Sequence, residues 1–341
     1  MTPYRVALEG FGRIGRNLFR ILYRRDDLEI VAINDVADPN ALEYLLEFDT
    51  IHGRFPGPVS TKDGFLFADG RRIPILPGGA PGTVDWAALG VDVVIEATSK
   101  SRTRAEYEAH LTAGAKRVIL CAPPQDPPDL TLVTGVNDTA LQPAHRIVSN
   151  ASCTAHAAAP VLAILERAFG IERAFVTTVH AYSNQQRLAD VPSADPRRGR
   201  AAAENIIPQE TNADEVLQDL LPELRGKIAA KSINVPVANG SVVDLVCWHR
   251  DPVTEDAINE VVRTAVGSRY GGILAYEDQP IVSSDIIRST HSGTFDALAT
   301  MTLGDHMSKT LTWFDNGWGY AHRVVDLIER FRAFDRQEVA S

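Results

Sequence analysis

Two residues of the 341-residue chain carry side chains that could act together as a nucleophile and its base. They are Cys153, in the stretch "SNASCTAHAAAPVLAIL" (149–165), and His180, near the end of "RAFVTTVHAY" (173–182). The cysteine stands where small polar residues give way to an alanine-rich apolar run, which predicts a helix over about 153–169 with the thiol in its first turn. A helix start favours the thiolate, because its unpaired amides present partial positive charge. One helix out and one strand back is compatible with His180 lying at the same sheet edge, where an imidazole can draw the thiol proton and later act as acid or base. A thiolate formed in this way adds to an aldehyde, and loss of hydride from the adduct leaves a thioester that phosphate or water can open. Taken alone, Cys153 reads as a small packed hydrophobe. The pairing with His180 is what gives it a chemical reading.

That chemistry needs a hydride acceptor, and "VALEGFGRIGRNLFR" supplies a place for one. Gly10-x-Gly12-x-x-Gly15 directly follows a strand-like run and opens a helical one, so backbone amides can approach a pyrophosphate at the positive end of the helix. The second strand ends in Asn34-Asp35, about twenty residues further on, where a carboxylate can accept from a ribose diol and repel a 2′-phosphate. NAD is therefore expected rather than NADP. Read blandly, the same residues are an ordinary strand-to-helix turn and a solvated aspartate. Glu9, just before the first glycine, is an odd neighbour for an anionic cofactor.

The elements that must position these residues follow two rhythms. In the first third, "YRVALE" (4–9), "LEIVAIN" (28–34), "VDVVIEA" (91–97) and "KRVILCA" (116–122) alternate with amphipathic segments, the pattern of a parallel, doubly wound sheet. "FLFADGRRIPIL" (65–76) predicts a hairpin around Ala68-Asp69-Gly70. After Cys153, "GKIAAKSINVPV" (226–237), "GSVVDLVCWH" (240–249), "TFDALATMTL" (294–303) and "KTLTWFD" (309–315) read as long strands of a largely antiparallel sheet, with helices near 211–220 and 254–267. A last helix over 319–334 carries Val324, Leu327, Ile328 and Phe331 on one stripe, suited to returning to the first domain.

Composition narrows the function classes. With 45% hydrophobic residues the chain can fill two cores, and its formal charge of −10 without a dense Lys/Arg stripe gives no track for nucleic acid. A small-molecule partner is expected. No basic-then-apolar leader and no apolar run of spanning length is seen, so the chain reads as soluble and cytoplasmic. Cys121, Cys153 and Cys247 are odd in number and far apart, which predicts neither a disulfide framework nor a metal site.

The motifs "GFGRIGR", "NASCT", "TTVHAY", "RAAAENIIP", "LPELRGK", "SVVDL" and "DNGWGYAHRVVDL", in this order, resemble the glyceraldehyde-3-phosphate dehydrogenase family from about residue 4 to 330. The resemblance implies an α/β Rossmann NAD-binding domain over 1–152, joined by the C-terminal helix 318–335, and an α+β catalytic domain over 153–317. It implies Cys153 as nucleophile and His180 as base and oxyanion donor. Gly10, Gly12, Arg13, Ile14 and Gly15 would hold the dinucleotide phosphates, Asp35 the adenosine ribose and Asn316 the nicotinamide carboxamide, with Thr98 and Asn184 also at the cofactor. The loop Tyr182 to Arg200 resembles one that reaches a neighbouring subunit's cofactor site, which implies a homotetramer, and Val191-Pro192 within it resembles the pair of NAD-preferring members.

Departures from the family cluster where phosphate should bind. Asn234 stands at the family's arginine, losing the charge and the guanidinium fork, and Thr211-Asn212 replaces Thr-Gly ahead of Asp214 and Glu215. Ser152, Thr154, Ser183, Gln185 and Thr211 still offer hydroxyl or amide donors, and Arg197 and Arg200 remain in the long loop, as anion ligands or as a solvated subunit contact. Ala155 and His156 replace a threonine and an asparagine after the nucleophile, Gly317 a glutamate, and Thr98-Ser99 follows Ala97 where the family has "STG". His156 fits a neighbouring helix or solvent better than a metal, since no third ligand is evident. The expected activity is NAD-dependent phosphorylating oxidation of glyceraldehyde 3-phosphate, a step of glycolysis, with inorganic phosphate as acceptor. Erythrose 4-phosphate or another aldehyde is the alternative, as is a regulatory NAD-binding paralogue with weak phosphorolysis.

Overall fold

The computed structural model describes residues 2–184 and 186–340. The chain forms two compact units: one holds the chain up to Leu132, Thr139–Ser152 and the segment from Ala321 on, the other Val133–Asp138 and Cys153–Tyr320.

In the first unit, β1 (Tyr4–Glu9), α1 (Arg13–Leu22), β2 (Leu28–Asn34) and α2 (Pro39–Glu47) open a crossover series. It continues through β3 (Val59–Lys62), β4 (Phe65–Ala68), β5 (Arg71–Leu76), β6 (Val93–Glu96), α3 (Arg104–Thr112), β7 (Arg117–Leu120), β8 (Leu130–Thr131) and β9 (Ile147–Ser149). The nine strands lie in the order β3-β4-β5-β2-β1-β6-β7-β9-β8. Pairing is parallel from β5 to β8, and the β3-β4-β5 end is antiparallel. The predicted 65–76 hairpin is thus present with a third strand, β3, added to it. Burial on both faces explains the near-continuous apolar strands: Val6, Ala7, Leu8, Val93, Val94, Ile95, Val118, Ile119 and Leu120 are all fully buried. Helix α3 starts on a capping box, Thr103 and Glu106 each bonding the other's backbone.

The second unit starts with α4 (Cys153–Phe169), whose buried alanines let strands pack closely on it, and β10 (Ile171–Ala181). Then come β11 (Ile207–Gln209), α5 (Ala213–Leu220), β12 (Ile228–Val235), β13 (Ser241–His249), α6 (Glu255–Val266), β14 (Leu274–Glu277), β15 (Gly293–Leu303) and β16 (Met307–Phe314). The sheet order is β11-β12-β10-β13-β16-β15-β14. It is mixed: β10–β12 and β14–β15 are parallel and the other neighbours antiparallel. The parallel β10–β12 pair sets Asn234 directly beside His180.

The last helix, α7 (Trp318–Ala340), belongs to the first unit from Ala321 on and is longer than its apolar stripe. Val324, Leu327, Ile328 and Phe331 are completely buried, each contributing about 1.5–3 kcal/mol of transfer free energy. Asp335 near its end accepts from the Tyr4 hydroxyl at 2.6 Å and from Arg117 at 2.6 Å. Burial beside that carboxylate pushes the Tyr4 phenol far up.

Candidate active site

In the first unit the turn after β1 is shaped by absent side chains. Gly10 has φ +96°, and a Cβ there would lie 2.8 Å from the Ala97 carbonyl carbon; one on Gly15 would lie 2.3 Å from the Gly10 oxygen. Gly12 is the N-cap of α1 and supplies no side-chain acceptor, so the helix's first amides are left for an anion. Arg13 and Ile14 occupy the half-buried first turn. The Asp35 carboxylate braces this turn, accepting from Phe11 N at 2.6 Å with one oxygen and from Ala37 N at 2.9 Å with the other. Each oxygen keeps a lone pair for a ribose hydroxyl. A cradle that a Cβ would fill, together with uncapped amides, fits a dinucleotide.

Beneath the turn lies a buried polar cluster that explains Glu9. Its carboxylate accepts from Asn34 Nδ2 at 2.8 Å, and Asn34 Oδ1 accepts from Gly78 N at 2.9 Å. Burial raises the Glu9 pKa. In register beside it, Glu96 also suffers burial, but bonds from His110 and Thr98 and the Arg102 charge carry its pKa downward. Thr98, at the end of β6, donates to Glu96 with both its amide and its hydroxyl. Ser99 follows exposed at φ +61°, a left-handed conformation costly for a residue with a Cβ.

In the second unit Cys153 heads α4 and His180 sits near the end of β10, with Sγ and Nε2 3.6 Å apart. His180 Nδ1 lies 2.6 Å from the Ala181 carbonyl, an acceptor only, so Nδ1 carries a proton and Nε2 is the nitrogen that faces the thiol. Phe314 packs edge-on to the imidazole at 6.0 Å. Asn234, buried, also points Nδ2 at the Ala181 carbonyl, at 3.3 Å. Asn316, near-buried between β16 and α7, has Oδ1 3.4 Å from the Ser241 hydroxyl.

The remaining predicted residues are more dispersed. Thr154 is buried in α4, and Ser152 is half-buried just before Cys153. Ser183 donates from its amide and hydroxyl to Gln186, and Asn184 is exposed in the following turn. Gln185 lies outside the described residues. Arg197 and Arg200 are exposed, and Arg200 pairs with Asp190 at 3.0 Å. Thr211 accepts from Ala213 N, and exposed Asn212 is the N-cap of α5 without a capping side-chain bond. His156 is buried, its ring 6.1 Å from that of Tyr320.

Two residues of the second unit escaped sequence reasoning. Ser241 bridges Ala181 N and Asn316. Asp315 accepts from Gly317 N, Trp318 N, Arg288 N and Asn239 Nδ2, all within 2.7–2.9 Å, and so fixes the backbone on both sides of Asn316. The usable signal for Asp315 was an Asx residue ahead of a helix; for Ser241 there was only its place in a motif.

A dinucleotide-type α/β unit and a thiol–imidazole unit in one chain define an NAD-dependent oxidoreductase. Two family profiles match, "Glyceraldehyde 3-phosphate dehydrogenase, NAD binding domain" over residues 4–104 and "Glyceraldehyde 3-phosphate dehydrogenase, C-terminal domain" over 152–316. The chain belongs to the glyceraldehyde-3-phosphate dehydrogenase family. It is 45% identical to the glyceraldehyde-3-phosphate dehydrogenase of Geobacillus stearothermophilus over 324 residues, 95% of this chain and 96% of that one. Against the Borreliella burgdorferi protein of the same name the figures are 46% over 333 residues, 96% and 99%. For that of Thermotoga maritima they are 45% over 327 residues, 95% and 98%.

Proposed function

We propose that the chain oxidises glyceraldehyde 3-phosphate to an acyl phosphate with NAD and inorganic phosphate, through a thioester on Cys153. The observation that carries this reading is the 3.6 Å approach of Sγ to an imidazole nitrogen whose partner nitrogen is tied to a backbone carbonyl. His180 takes the thiol proton, and the Cys153 sulfur adds to the aldehyde carbon. The imidazolium then donates a hydrogen bond to the oxyanion that forms; the C–H bond of that carbon breaks, its hydride leaves, and the C=O bond re-forms to give the thioester on Cys153. The Gly10–Gly15 turn, Asp35, Thr98, Asn184 and Asn316 would hold NAD, which when bound supplies the acceptor for the hydride. Phosphate attacks the acyl carbon, the carbon–sulfur bond breaks, and the thiolate is regenerated beside His180. Ser152, Thr154, Ser183, Thr211, Asn212, Asn234 and Arg197 are the proposed phosphate ligands.

One observation favours a second substrate reading. Asn234 brings no charge to the strand position beside His180, and one of its two amide hydrogens is directed to Ala181. Another aldehyde, such as erythrose 4-phosphate, or slow phosphorolysis, suits that position. Formation of reduced cofactor from NAD and a panel of aldehydes, with and without phosphate, separates the readings. Phosphate-dependent turnover of glyceraldehyde 3-phosphate supports the first, and a single burst without turnover supports failed phosphorolysis. We also infer the domain division at 152/153 with helix 318–335 returned to the NAD-binding part, a homotetramer through the 182–200 loop, and a cytoplasmic location. Among the described residues no helix is long and apolar enough to cross a membrane.

A further inference from the structure

The Ala181 peptide is a junction of three side chains. Its carbonyl faces His180 Nδ1 at 2.6 Å and Asn234 Nδ2 at 3.3 Å, while its N–H donates to the Ser241 hydroxyl at 3.0 Å. Ser241, at the start of β13, is 1% exposed, so no solvent competes for that hydroxyl. A serine hydroxyl has one hydrogen. With an oxygen lone pair taken by Ala181 N–H, that hydrogen is left for Asn316 Oδ1, 3.4 Å away. The contact is longer than an ordinary O–H···O bond, so it acts on orientation more than on energy.

We propose that Ser241 is a positioning residue for Asn316: its buried hydroxyl, anchored on the Ala181 peptide, holds Oδ1 inward and leaves Nδ2 to donate to the nicotinamide carboxamide. The proposal rests on the reading that Asn316 takes that carboxamide. The Asn316 backbone is already fixed by the four donors around Asp315, so the orientation of the amide is the remaining freedom. A flipped amide would present an acceptor where a donor is wanted, reversing its preference between the carboxamide oxygen and its NH₂. The same hydroxyl therefore anchors the peptide that sets the His180 tautomer and the amide that meets the cofactor.

The test is equilibrium binding of NAD and of ADP-ribose, which lacks the nicotinamide, to the intact protein and its variants. Ser241→Ala should weaken NAD about fivefold and leave ADP-ribose unchanged, the latter serving as the control for folding. Ser241→Thr, which keeps a hydroxyl, should stay close to wild type for both. In an Asn316→Ala background, Ser241→Ala should cause no further loss of NAD affinity. Equal losses for NAD and ADP-ribose, or fully additive losses in the double variant, would overturn the proposal. If Asn316→Ala binds NAD as wild type does, the assignment of Asn316 falls and the proposal with it. If Asn316→Ala weakens NAD and Ser241→Ala does not, the role of Ser241 alone is overturned.

Discussion

Replacing Asn234 by arginine tests whether the missing charge governs phosphate use. Asn234 is buried beside His180 in the parallel β10–β12 register, and its side-chain amide donates to the Ala181 carbonyl at 3.3 Å. Losing that neutral bond costs about 0.5–1.5 kcal/mol, while each charge-assisted bond from a guanidinium to phosphate contributes about 1.5–3 kcal/mol. If one such bond forms, the net gain is about 1 kcal/mol; if the planar fork engages two phosphate oxygens, it is about 2–5 kcal/mol. The Michaelis constant for inorganic phosphate, or for the phosphorylated aldehyde, should therefore fall at least about fivefold in Asn234→Arg. Steady-state kinetics with each substrate varied in turn, following reduced cofactor, reads both constants. A variant that melts like wild type yet shows both constants unchanged or raised would refute the reasoning and place the anion pocket away from β12.

Three other perturbations address separate parts of the molecule. Cys153→Ala should abolish aldehyde oxidation while NAD affinity stays within about twofold by calorimetry, since nucleophile and dinucleotide turn belong to different elements. Glu9→Gln keeps an acceptor for Asn34 and removes the buried charge. The Glu9 pKa is raised by burial, so wild type has its full stability below the ordinary glutamate range and loses some as pH rises through the shifted value. The Gln variant should gain on wild type as pH rises above the ordinary glutamate range, seen as a Tm difference that widens with pH until Glu9 is ionised; a constant difference would count against this account. Gly10→Ala would set a methyl 2.8 Å from the Ala97 carbonyl carbon at φ +96°, and should cost at least about 1 kcal/mol in urea unfolding and weaken NAD.

The first unit was readable because burial on both sheet faces writes itself as unbroken apolar runs such as "VVIE" and "RVIL". Strand β3, "VSTK", has one apolar residue in four and owes its place to pairing with β4, which no local pattern records. In the second unit the five long strands were legible but the short β11 and β14 were not, and strand directions were hidden because β10 and β12 look the same whether parallel or antiparallel. That pairing is nonetheless what brings Asn234 to His180. At the site, Cys153 and His180 carried a signal through residue type and spacing. Ser241 and Asp315 act through backbone amides and carbonyls, whose positions depend on the completed fold. Glu9 was visible as an oddity and became intelligible only with Asn34 and Gly78 around it.

The clamp of Asp335 on Tyr4 and Arg117 has a consequence for the order of events in synthesis. A nascent chain has its first nine strands made while the helix that seals their core, with Val324, Leu327, Ile328 and Phe331, is still untranslated or inside the ribosome exit tunnel. The amino-terminal unit must wait, with an apolar surface uncovered, until that helix has been made and released. The intervening unit, encoded in nearly one stretch from Cys153 to Tyr320, can close before it.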